Sequence, residues 1–157
     1  MSEPLPPSGS PYEWFRRADA LLASGDADAA LQLLDWLSDV EPPSRAVLEL
    51  RARAEFDTRR YTRAAATFDQ IVALAPDDDY AHFGLGMSLW RLQRFVEARD
   101  HLAMAFVMRP ERPDYGTALT QVKATLRARQ DGGLPLDGPL PAQERSIDGP
   151  QGWADGS

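Results

Sequence analysis

The sequence predicts an all-α fold, a solenoid-like stack of antiparallel helix pairs flanked by irregular termini. Prolines stand at 42, 76 and 110, one every 34 residues, and rows of like residues keep the same step. Ala30, Ala64 and Ala98 form one row, and Leu34, Phe68 and Leu102 form another, four residues further on. Within each period the apolar residues recur at spacings of three and four, which marks one face of a helix. The breaks between these runs are short, so consecutive helices must run antiparallel. A repeated unit of this length buries its apolar face only by stacking on the next copy.

The elements follow in order. Ser10-Pro11 with Glu13 supplies an N-cap serine, a proline at the first helical position and an acid three residues after the cap. The first helix therefore starts at 11 and stops near Gly25-Asp26. The pattern predicts further helices over 27–40, 44–58, 61–74, 78–92 and 95–108, with turns at Pro42-Pro43, 58–60, Pro76-Asp77 and 92–94. Asp77 to Asp79 suit a helix start, where the dipole favours negative charge. They lack the alternating oxygen ligands, turn glycine and distal glutamate of a calcium loop. Three units thus occupy 11–43, 44–77 and 78–111. After Pro113, the residues Tyr115, Leu119, Val122 and Leu126 line one face of a helix over 113–130, with Thr117, Gln121 and Arg127 opposite. This helix has no partner and suits the polar-faced cap that an open stack requires. Residues 1–10 and 131–157 are rich in proline, glycine and acids, without periodicity, and are expected to be disordered.

Three more rows complete the repeat: Ala27, Tyr61 and Phe95; the small residues Ala18, Ala52 and Gly86; and Trp14, Leu48 and His82. With these rows the chain resembles the tetratricopeptide-repeat family from Pro11 to about Gln130. The family's Leu-Gly pair is kept as Leu85-Gly86, and its tryptophan as Trp14. Arg17 and Arg51 stand at the leucine position, and Ala18 and Ala52 at the glycine. The resemblance implies a right-handed superhelix whose first helices line a concave, peptide-binding side.

Composition limits the function. The 157 residues carry a net charge of −7 and no cysteine. The acidic surplus argues against nucleic-acid binding, which needs a basic face. No apolar run approaches the roughly 20 residues of a membrane helix. The start, acidic and proline-rich, lacks the basic and apolar regions of a signal peptide. A cytoplasmic protein is expected. His82, in the row of Trp14 and Leu48, is expected to pack between helices, and His101 to face solvent. Neither belongs to a metal-ligand spacing. With no phosphate loop or nucleophile elbow either, no enzyme, cofactor or metal is predicted.

The remaining candidate is a groove. The inner stripe of the first helices carries Tyr12, Phe15, Arg16 and Asp19 in the first unit, and Ala46, Glu49, Leu50 and Arg53 in the second. The third unit supplies Tyr80, Phe83, Gly84, Met87 and Arg91. Aromatics interleaved with arginines are frequent anchors of binding surfaces. The expected partner is a protein or peptide with apolar or aromatic anchors and nearby acids. The chain's own C-terminal tail, with Leu136, Leu140, Ile147 and Trp153 among acids, is a second candidate. Family members that hold a chaperone's C-terminal carboxylate use a clamp of lysine, asparagine and arginine. The matching positions here are Phe15, Asp19, Leu50, Tyr80 and Gly84, which disfavours that ligand. The alternatives to an adaptor are a structural homo-oligomer, with Trp36 as an outer contact, and a small repeat chaperone of a secreted or membrane-inserting protein.

Overall fold

The computed structural model describes residues 5–142, which form seven α-helices and no strand. They are α1 (Pro11–Ala23), α2 (Ala27–Val40), α3 (Arg45–Asp57), α4 (Tyr61–Leu74), α5 (Asp79–Arg91), α6 (Phe95–Met108) and α7 (Pro113–Asp131). The helix starts have local causes. Ser10 and Glu13 close a capping box at α1, while Asp26, Ser44 and Asp78 each accept a backbone N–H at the starts of α2, α3 and α5. The caps of α4 and α6 are Arg60 and Arg94, which make no side-chain cap bond. Those two helices follow tight reversals instead. Gly25, Arg59 and Gln93, spaced by 34, all have positive φ, at 90°, 62° and 60°. In each reversal the next residue's N–H returns to a carbonyl of the preceding helix, at Leu21, Glu55 and Leu89.

The stack is asymmetric. Helices α1, α3, α5 and α7 touch one another in succession, whereas α2, α4 and α6 touch only the helices before and after them. The first helices therefore form a continuous inner layer and the second helices an outer, splayed one. The small row makes the pairs close: Ala18 and Ala52 are fully buried, and a Cβ on Gly86 would stand 2.7 Å from Leu102. The core divides at α3. Its Val47, Leu50 and Ala54 pack with Trp14, Leu34 and the first unit, while Leu48 and Ala52 join the larger cluster running through Phe68, Leu85 and Leu102 to Val122. Polar ties cross between units as well. Arg45 donates to Asp78 at 2.6 and 2.9 Å, and the buried Tyr115 hydroxyl donates to Asp79 at 2.7 Å.

Helix α7 repeats a first helix whose partner is missing. Where earlier units place Trp14, Leu48 and His82 against the second helix, α7 has Gly116; where they place Leu21, Glu55 and Leu89, it has Lys123. The substitutions keep that face compatible with water.

Both termini are tied closer than expected. The Trp14 indole N–H donates to the Ser8 carbonyl at 3.1 Å. The expected disorder from 131 onward begins too early, because 135–138 is strapped onto the end of the stack. Arg129, lying 4.6 Å over the Phe95 ring, donates to the carbonyls of Pro135 and Gly138. The Val96 N–H donates to Asp137 at 3.0 Å, and Gly138 N–H donates to the Gln93 carbonyl at 2.8 Å. Asp137 thus supplies at α6 the side-chain cap that Arg94 does not. The remainder of the expected tail, 143–157, and residues 1–4 lie outside the described residues. No described helix is long and apolar enough to cross a membrane.

Candidate functional site

The inner layer brings five of the thirteen groove-stripe residues together, Gly84 among them. Arg53 of α3 and Tyr80, Phe83 and Met87 of α5 surround a cavity of about 220 Å³, joined by Phe56, Asp57, Phe68 and Gly84. Phe68 belongs to the second-helix row of Leu34 and Leu102. It reaches this cavity because Gly84 has no side chain: a Cβ there would stand 2.3 Å from the Phe68 ring. Tyr80 meets Phe68 edge-on at 6.1 Å, and Phe83 stacks on Tyr115 at 4.7 Å. Burial raises the Tyr80 phenol's pKa, and Arg53 partly opposes the shift. The phenol stays a neutral donor at physiological pH. The socket is therefore an aromatic hollow with one cation and one carboxylate, Arg53 and Asp57, at its edge.

The other expected residues lie elsewhere. Leu50 is only 3% exposed and belongs to the core of the first unit, so it offers no surface to a ligand. The stripe spacing placed it inward, but the side chain is drawn towards the first unit, where Trp14 and Leu37 supply an apolar bed. Phe15 is half-buried against the same cluster. Tyr12 is 67% exposed, and its hydroxyl accepts from Arg16 at 3.4 Å at the open N-terminal end, while Asp19 is exposed on the same helix. Arg91 extends over Tyr61 at 5.7 Å, and Tyr61 meets Phe56 edge-on, which links that end of α5 to the socket wall. Trp36 is half-buried against the first cluster.

The two histidines correct one expectation. His82 is buried as anticipated, but His101 is half-buried and stacks on it, with their Nδ1 atoms 3.1 Å apart. Burial, followed by the neighbouring His82, lowers the His101 pKa. The spacing of 19 residues hid the pair because it arises from two antiparallel helices. Among the described residues no group of three or more potential ligands is placed to hold a metal ion.

The profile of the tetratricopeptide repeat matches residues 15–79 and again 49–113. The chain belongs to the tetratricopeptide-repeat family. Solved structures agree on the fold. The first repeat domain of Spaghetti (RPAP3), bound to the HSP90 peptide SRMEEVD, is 19% identical with a TM-score of 0.70, over 74% of this chain and 93% of that one. The repeat domain of Sgt2 from Aspergillus fumigatus is 15% identical with a TM-score of 0.71, over 89% and 94%. MamA from Desulfovibrio magneticus is 18% identical with a TM-score of 0.73, over 79% and 70%. No curated protein sequence matches the chain. Identity at this level establishes the shared architecture and leaves the ligand to the site itself.

Proposed function

We propose that this tetratricopeptide-repeat protein is a non-catalytic cytoplasmic adaptor that binds a peptide segment of a partner on its inner face. The socket between α3 and α5 carries this reading. It is a preformed aromatic hollow of about 220 Å³, and Arg53 at its rim makes no ion pair among the described residues. An aliphatic or aromatic anchor would fill the hollow, and an acid beside it would meet Arg53. Arg91 offers a second cation along the same helix, while Tyr12, Phe15, Arg16 and Asp19 extend the contact surface towards the N-terminal end.

The experiment is selection of a random peptide library on the protein and on its Phe83→Ala and Arg53→Glu variants. Enriched peptides should carry an apolar anchor with an acid within a few residues, and both variants should lose the enrichment. Equal enrichment on all three proteins would remove the socket from the proposal. The peptide SRMEEVD, held by Spaghetti, should not bind here, because Phe15, Asp19 and Leu50 stand where cationic and amide groups would have to hold its carboxylate. Competition by the chain's own tail belongs to the same reading. Leu136 and Leu140 lie away from the socket's lining, and Ile147 and Trp153 lie outside the described residues.

A further inference from the structure

The outer layer holds two grooves at equivalent positions, and they have opposite characters. One lies between α2 and α4 over α3, the other between α4 and α6 over α5. All the residues lining the first have counterparts 34 positions later in the second. The first, about 160 Å³, has Arg51 and Glu55 as its floor. It is satisfied internally: Arg51 pairs with Asp35 at 3.0 Å, Arg60 with Asp28 at 3.0 Å, and Glu55 accepts from Thr67 at 2.5 Å. In the second, about 320 Å³, Leu85 and Leu89 replace that charged floor, and Ala65 and Ala66 form a wall. Its rim carries Asp69, Glu97, Arg94 and His101. Glu97 is held by Arg94 at 2.7 Å, whereas Asp69 makes no ion pair among the described residues.

The hydrogen-bond network fixes what His101 offers this groove. His82 Nε2 lies 2.8 Å from the Pro76 carbonyl, which can only accept, so that nitrogen carries the proton. In neutral His82 the Nδ1 must then accept, and the N–H facing it belongs to His101 Nδ1. This leaves His101 Nε2 as a bare lone pair. No described group donates to it, and since no buried side-chain nitrogen or oxygen lacks a partner, it is open to solvent. Burial and the neighbouring His82 both favour the neutral ring, against the opposing pull of Asp69, Asp100 and Glu97.

We propose that the groove between α4 and α6 is a second binding site, which takes a lysine side chain of a partner protein. The methylene stem would lie along Ala65, Ala66 and the Leu85–Leu89 floor, and the ammonium would donate to Asp69 and to His101 Nε2. Both unoccupied rim groups are acceptors on different helices, which suits a compact ammonium with three rotatable donors better than the planar fork of arginine. The site is distinct from the inner socket, with which it shares no lining residue.

The test is an NMR titration of the full chain with N-acetyl-lysine methylamide, beside the same molecule acetylated at Nζ. The charged probe should shift the Ala66 and Leu89 amides and the His101 ring in a saturable way, while the acetylated probe leaves them unmoved. Asp69 is exposed, so Asp69→Asn should fold normally, with an unchanged thermal midpoint, and weaken the charged probe about two- to fivefold, as expected for an exposed ion pair. Equal shifts from both probes, or shifts confined to Arg53 and Phe83, would overturn the proposal. So would movement of the groove signals on Arg145→Ala before any probe is added, because the occupant would then be this chain's own basic residue.

Discussion

Single residues decide where this chain tolerates charge. Glu55 occupies the row otherwise held by Leu21 and Leu89, and burial raises its carboxyl pKa against the Thr67 hydrogen bond and the pull of Arg51. A raised folded-state pKa means that this group stabilises the fold fully only below its unfolded value near 4.5, and that the contribution is lost as pH rises through the folded value. Glu55→Gln keeps an acceptor for Thr67 without the buried charge. It should raise stability near pH 7 by about 0.5–1 kcal/mol and change little near pH 4, as measured by denaturant unfolding at both values. His101 has the opposite sign. Its depressed folded-state pKa gives a contribution that is complete above the unfolded value of 6.5 and is lost as pH falls below it. Asp69, His82, Glu97 and Asp100 surround the ring, His82 adding to the depression and the three carboxylates opposing it. His101→Gln, which can still donate to His82, should therefore lose less stability than the parent protein between about pH 7 and pH 5. An identical pH slope in the two proteins would mean that His101 does not change protonation on unfolding.

At the scale of the helix, small residues determine how closely neighbours approach and what they leave open. Gly84 and Gly86 lie two residues apart on α5 and do different things. Gly86 lets Leu102 of α6 close in, and Gly84 lets the Phe68 ring of α4 reach the inner socket. Gly84→Ala puts a methyl group into that ring, and helix propensity offsets only part of the clash. We expect a net loss of about 1–2 kcal/mol by thermal or chemical unfolding and a weakened socket for the selected peptide. Unchanged peptide affinity would show that Phe68 does not contribute to binding. The role of Gly86 was legible from its row with Ala18 and Ala52. That of Gly84 was not, since its register partners Arg16 and Leu50 are large.

For the whole molecule, stability should follow the stacking. The larger apolar cluster spans α3 to α7, while the first unit has its own smaller cluster and meets the rest through α3. In a nearest-neighbour stack the end with less shared core opens first. Hydrogen exchange should therefore protect α5 and α6 more strongly than α1. Removal of 113–131 should expose Phe83 and the apolar side of the third unit, lowering the melting temperature and promoting aggregation. A melting temperature within experimental error of the full chain would show that α7 is no cap. Sedimentation over a range of concentrations should give a monomer if the molecule acts as an adaptor, and concentration-dependent mass would instead favour the structural alternative.

The sequence alone determined the helices, their order, their turns and the repeat itself. These depend on local chemistry and on periodicity, and both are written along the chain: Ser10 and Glu13 cap α1 wherever it packs, and the 34-residue rows require a stack. Part of the groove was legible for the same reason, because Tyr80, Phe83 and Met87 share one stripe of one helix and Arg53 the matching stripe of another. Only tertiary structure decided which stripe residues face outward. Leu50 turned into the first unit because an apolar bed was available there, and the Phe68 ring entered the socket through space that Gly84 leaves empty. The His82–His101 pair, the strap of Asp137 and Gly138 on α6, and the contrast between the outer grooves likewise come from residues distant in sequence. Their pairing depends on how α4, α5 and α6 lean on one another, a geometry that no single helix specifies.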